Sequence, residues 1–148
     1  MSKAEEANLI LKLYELRREE TMRKARDWYF REFNPQSMAD FTAAIFGEHS
    51  GHLRMVTTYW DMAAAFVNTG AISLEMFTET NGEYIGVFAK IEPLLSEIRA
   101  AYGPRWAINI EKLIDAAPDG RKQLAAMRER MKSIRAAMAA QNANAAKS

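Results

Sequence analysis

The chain has 148 residues, 49% of them apolar, with 20 basic and 19 acidic side chains and a net charge of +1. That is enough apolar material for one packed core, and it excludes a disordered tail, a globally basic nucleic-acid protein and a polyanion mimic. Cysteine is absent, which excludes a disulfide framework, Cys-ligated zinc, an iron–sulfur cluster and a thiol nucleophile.

The opening residues, Met1-Ser2-Lys3-Ala4-Glu5-Glu6, have no secretory pattern. The longest uncharged run falls between Asp61 and Glu75 and is too short to span a bilayer. A cytoplasmic protein without membrane contact is expected. Alanine, glutamate, lysine, arginine, leucine and methionine dominate, which are the residues that lose least in a helix. No segment alternates apolar and polar residues long enough for a half-buried strand.

The first helix is predicted over about Ala4 to Phe33, ended by Asn34-Pro35. Its second half has one apolar stripe, Met22, Ala25, Trp28, Tyr29 and Phe33. In its first half Leu9, Leu13 and Leu16 lie on one side and Leu11 and Tyr14 nearly opposite. A helix apolar on two sides must be covered on two sides. A second subunit is the simplest cover, and other helices of the same chain are the alternative. Ser37-x-x-Asp40 reads as an N-terminal cap for a short helix to about Phe46.

The next helix, about Leu53 to Asn68, carries two neighbouring stripes. One is Leu53, Val56, Trp60, Ala63 and Val67; the other is Met55, Tyr59, Met62 and Phe66. Together they predict the central helix, with Gly70 in a left-handed terminal position. Ser73 can cap a turn through Phe77. Thr80-x-x-Glu83 reads as a capping box for a helix to Tyr102, whose seam is Tyr84, Phe88, Ile91, Leu95, Ile98 and Tyr102. Pro93 should kink it. Pro104 suits the first position of the following helix, which carries Trp106, Ile110, Leu113 and Ala117. The last helix, about Arg121 to Ala140, repeats Leu124, Met127, Met131, Ile134 and Met138, whose methionines also suit a partner. The expectation is a single-domain, all-α antiparallel bundle of five or six helices over residues 1–140, with residues 141–148 as a frayed tail.

Charge is uneven. Residues 37–98 hold two basic and eight acidic side chains, and residues 119–148 hold seven basic and two acidic ones. The basic last helix reads as a solvated face, as a complement to the acidic middle, or as a phosphate-binding stripe for nucleic acid. No helix-turn-helix or aromatic RNA-binding motif accompanies it, so nucleic acid is the least favoured partner.

Glu48-His49-Ser50-Gly51-His52 pairs two imidazoles with a carboxylate, a donor set suited to a divalent metal. The spacing is not the HExxH pattern, and histidines placed this way more often pack or cap helices. Asp61, mid-helix beside Trp60 and Arg54, must be hydrogen-bonded or paired if buried. It reads either as a pocket acid with Trp60 and Arg54 beside it, or as the partner of an arginine such as Arg23, Arg26, Arg99 or Arg105. Trp28, Tyr29, Tyr59, Trp60, Tyr84, Tyr102 and Trp106 read as core, or as the lining of a pocket. No nucleophile elbow or phosphate-cradling loop is found, so no catalytic residue and no cofactor is assigned.

The stretch Tyr59-Trp60-Asp61-Met62-Ala63-Ala64-Ala65-Phe66-Val67-Asn68-Thr69-Gly70-Ala71-Ile72, followed by residues Tyr84 to Leu95, resembles an uncharacterised bacterial all-helical family of unknown function over about residues 20–115. The resemblance implies a helical fold and transfers no activity.

The functional expectation is a non-enzymatic interaction protein acting as a homodimer through Leu9, Leu11, Leu13, Tyr14 and Leu16. The alternatives are a small-molecule or metal-binding protein with a pocket near Asp61 and the histidines, and nucleic-acid binding by the last helix.

Overall fold

The computed structural model describes residues 2–147, and among these it is all-α. The helices are α1 (Lys3–Arg17), α2 (Glu20–Arg31), α3 (Met38–Phe46), α4 (Ser50–Asn68), α5 (Leu74–Thr80), α6 (Glu83–Ile91), α7 (Leu95–Tyr102), α8 (Ile108–Ala116) and α9 (Gly120–Lys147), with a 3-10 turn over Glu92–Leu94. Nine α-helical segments among the described residues replace the expected five or six, because two long helices are each broken and the turn after Ser73 is a helix.

The first break is at Arg18-Glu19. Glu19 is extended and its carboxylate accepts from the amides of Thr21 (3.0 Å) and Met22 (3.1 Å), capping α2. The break lets two faces reach one core: α1 buries Leu13 and leans Leu9 and Ile10 on it, while α2 buries Met22, Ala25, Trp28 and Tyr29. The second break is at Pro93, where the expected kink becomes the 3-10 turn between α6 and α7.

Ser37 and Ser73 cap as expected, accepting from Asp40 (3.2 Å) and Met76 (3.2 Å). Gly70 is left-handed at φ 88°. The Thr80 box does not form. The Thr80 hydroxyl donates back to the Met76 carbonyl at 2.8 Å, and Gly82 stands at the α6 N-cap. Glu83 is drawn off by Arg26 and Trp60. Pro104 does not open a helix. It lies in a turn that ends at left-handed Ala107 (φ 54°), and α8 starts at Ile108. The segment expected to fray continues α9 to Lys147, and residues 132–147 are all exposed.

The core holds Trp60 (1% exposed) and Phe88 (fully buried), one from each predicted seam. It also takes in Phe41, Leu53, Ile72, Phe77, Ile98, Ile110 and Leu113. α4 packs against α2, α3, α5, α6 and α8, but it is not the most enclosed element. Met55 and Met62 remain 36% and 40% exposed, whereas every residue of α6 from Tyr84 to Ile91 is buried. The seam of α9 is covered as far as Met131: Leu124 is buried and Met127 and Met131 pack against the core, while Ile134 and Met138 are exposed.

The polar joints are specific. Tyr29 donates its hydroxyl to the Val87 carbonyl at 2.6 Å, and Tyr59 donates to the Leu13 carbonyl. Glu6 is buried and accepts from the Ser73 amide at 2.7 Å, tying α1 to the start of α5. Arg121 and Arg128 of α9 both reach Glu92, so the base of the basic helix meets the acidic middle of the chain within one subunit.

Candidate functional site

Asp61 extends from the half-buried side of α4 toward the start of α8. It accepts from the amides of Asn109 (2.9 Å) and Ile110 (3.0 Å) and from Asn109 Nδ2 (3.0 Å). The first amides of a helix have no partners in their own helix and carry its positive end, so a carboxylate there is held by charge as well as by hydrogen bonds. The arginines considered as its partners are engaged elsewhere or stay apart. Arg26 grips Glu83 with Nε (2.8 Å) and Nη2 (2.7 Å), and Arg99 pairs with Glu111 at 2.9 Å. The need for partners is met, but by a helix end rather than a guanidinium.

Arg54 and Asp61 do line one hollow, of about 620 Å3, walled by Met62, Tyr102 and Trp106. Trp60 is not part of it. Its indole donates to Glu83 Oε2 at 2.9 Å, so that Glu83 joins α2, α4 and α6 through Arg26 and Trp60. With both Asp61 oxygens committed to α8, the carboxylate is a fastening and not a free acid at this hollow.

The histidines sit against Trp28. His49 stacks on its ring at 5.2 Å, His52 lies at 6.2 Å, and the two imidazoles are 5.5 Å apart. Glu48 is exposed, with its carboxylate 4.0 Å from His49 Nδ1. Among the described residues no group of three or more histidine, cysteine, aspartate or glutamate side chains converges to hold a metal.

The residues expected at an N-terminal contact divide. Leu13 is buried in its own subunit and Leu9 is half-buried, while Leu11 (58%), Tyr14 (45%) and Leu16 (44%) are exposed. Leu16 does not stand alone. It borders a groove of about 510 Å3 whose walls are Met22, Met55, Tyr59 and Met62, with Glu19 and Thr58 at the edge. Tyr14 is flanked by the guanidiniums of Arg17 and Arg18, 5.2 and 5.3 Å from its ring centroid. The methionines of α4 were legible as a stripe in the sequence, but the stripe alone did not say that it borders α1 rather than the core.

Residues 3–117 match the family model described as a domain of unknown function, DUF4760. No curated protein and no solved structure matches the chain. Among the described residues no helix is long and apolar enough to cross a membrane.

Proposed function

The chain belongs to the DUF4760 family, and from that premise we propose that it is an interaction protein rather than an enzyme, working as a homodimer through the exposed side of α1 and the adjoining edge of α4. The observation that carries this reading is the groove formed by Leu16, Met22, Met55, Tyr59 and Met62, an apolar strip open to water. Leu16, Met55 and Met62 are each exposed by a third or more. Contiguous apolar surface of this kind is what contact regions retain, and methionines suit them because they adapt to the facing surface. Leu11 and Tyr14 extend the exposed apolar part of α1, and the arginines beside Tyr14 supply a polar rim. Leu13 and Leu9 support the contact from behind by fixing α1 to the core.

Sedimentation equilibrium on the full chain tests the proposal. The wild type is expected to be a dimer at micromolar concentration. The Leu16→Glu and Met62→Glu double variant is expected to be a monomer with an unaltered helical dichroism spectrum. A wild type that remains monomeric into the high micromolar range would end the reading. So would a double variant that dimerises as tightly as the wild type.

A further inference from the structure

Where α6 passes α9, a hollow of about 260 Å3 is lined by Lys90, Arg128, Lys132 and Arg135 and by no acidic side chain. Lys90 comes from α6. The other three share one face of α9, spaced by four and three residues. Lys90 is only 9% exposed. Its ammonium donates to the Phe33 carbonyl at 2.5 Å and stands 5.9 Å from the centroid of the Tyr29 ring. No carboxylate pairs with it among the described residues. An ammonium removed from water needs compensation, and one carbonyl and a ring face give little. Burial first, and Arg135 second, push the amine down to about 8.

The neighbouring cations have donors to spare. Arg128 gives Nη2 to Glu92 at 2.5 Å, but Glu92 also serves Arg121, and the Nε of Arg128 is buried without an acceptor. Lys132 reaches the exposed Glu129 at 3.3 Å. Arg135 forms no ion pair among the described residues. The hollow therefore carries an excess of positive charge with donors unused.

An adjoining cleft of about 440 Å3 shares Lys90, Met131 and Arg135 with the hollow and runs on between Phe30, Ile134 and Met138, with Glu32 on its border. Ile134 and Met138 are 58% and 41% exposed. A cleft apolar along Phe30, Met131, Ile134 and Met138, and edged by Arg31, Glu32 and Asn142, thus leads to a cationic end.

We propose that Lys90, Arg128 and Arg135 bind the anionic head of an amphiphilic small molecule, a carboxylate or phosphate monoester, whose apolar chain lies between Phe30, Ile134 and Met138. The head supplies the acceptors that the buried ammonium and Arg128 Nε lack. The chain covers the half of the α9 seam that the protein itself leaves open. This site involves neither α1 nor the α4 groove.

Isothermal titration calorimetry of the full chain with decanoate, decyl phosphate, inorganic phosphate and decanol tests it. Saturable binding of one decanoate or decyl phosphate per chain is expected, and the tighter of the two identifies the head. Inorganic phosphate and decanol should each bind at least about tenfold more weakly, since each lacks half of the contacts. Arg135→Gln, at an exposed position, should keep its helical spectrum and lose about tenfold in affinity. Lys90→Met should abolish binding without lowering the thermal midpoint. The proposal is overturned if neither amphiphile binds, if decanol or inorganic phosphate binds as well as the amphiphiles, or if both variants bind like the wild type.

Discussion

Asp61 and Lys90 are opposite solutions to the removal of a charge from water. Asp61 accepts three hydrogen bonds at the positive end of α8. Its replacement by alanine leaves two amides of that end unpaired. Asp61→Ala is expected to lower the unfolding free energy by about 2 kcal/mol, read from urea denaturation. Lys90 has no such compensation. Its amine titrates near 8 in the fold against an ordinary 10.5, so between these values the unfolded chain binds more protons than the folded one. Stability should therefore be lowest, with respect to this group, below pH 8 and rise as pH climbs toward 10. Groups facing Lys90 or lining the same two hollows are Tyr29 and Arg31 of α2, Glu32 just after it, and Arg128, Lys132 and Arg135 of α9. Tyr29 is buried and held protonated well beyond its ordinary range, so it opposes the rise only near and above pH 10. Urea denaturation across pH 7 to 10 should show a gain on the order of 1–3 kcal/mol in the wild type and none in Lys90→Met; a flat wild-type profile would refute the assignment. The sequence made it plain that a mid-helix carboxylate needs partners. It did not say which, because backbone amides leave no residue-type signature. Lys90 was equally hidden: a lysine next to a seam reads as the solvated edge of a helix.

The elements were legible where a glycine, proline or short polar side chain punctuates the chain, as at Ser37, Gly70, Ser73 and Pro93. The break between α1 and α2 was not, because Arg18 and Glu19 are both good helix formers and their turn is set by where Leu13 and Trp28 must go. Thr80 misled because a capping box is a local pattern, and Glu83 finds a bidentate arginine and an indole outside the pattern. The corner between α8 and α9 is the most exacting of the joints. Gly120 is buried, and a Cβ there would lie 1.7 Å from the Ile114 carbonyl oxygen. Backbone cannot yield as a side chain does. Gly120→Ala should cost more than about 3 kcal/mol or prevent folding, whereas Gly82→Ala, with open space around its Cβ, should shift stability by less than about 1 kcal/mol. Thermal denaturation of the two variants checks the contrast; similar midpoints would mean that the corner is looser than its geometry.

At the scale of the molecule, periodicity predicted which residues go inside far better than which helix lies deepest. The two stripes of α4 pointed to the centre, yet one of them ends at the surface, while α6, with its small Gly86 and Ala89 among large neighbours, is enclosed along its length. A stripe says that a face is covered or awaits cover; it does not name the cover. That gap is where both proposals lie. The α4 methionines lie beside α1, and the outer half of the α9 seam lies beside a cationic hollow. Amphipathic spacing looks the same in the two cases, and only the neighbours across the gap separate a second chain from a ligand.

The long exposed stretch at the end of α9 also bears on how the particle moves in water. Sixteen exposed residues of helix span about 24 Å; those up to Asn142 flank the cleft beside Phe30 and Lys90 and the helix runs on past it, so a body carrying this rod should tumble unevenly and suffer more drag than a sphere. Gel filtration would then overstate its size, and a single chain could elute where a rounder pair would. Light scattering, which weighs particles regardless of outline, should disagree with the elution volume by a margin that shortening the rod removes.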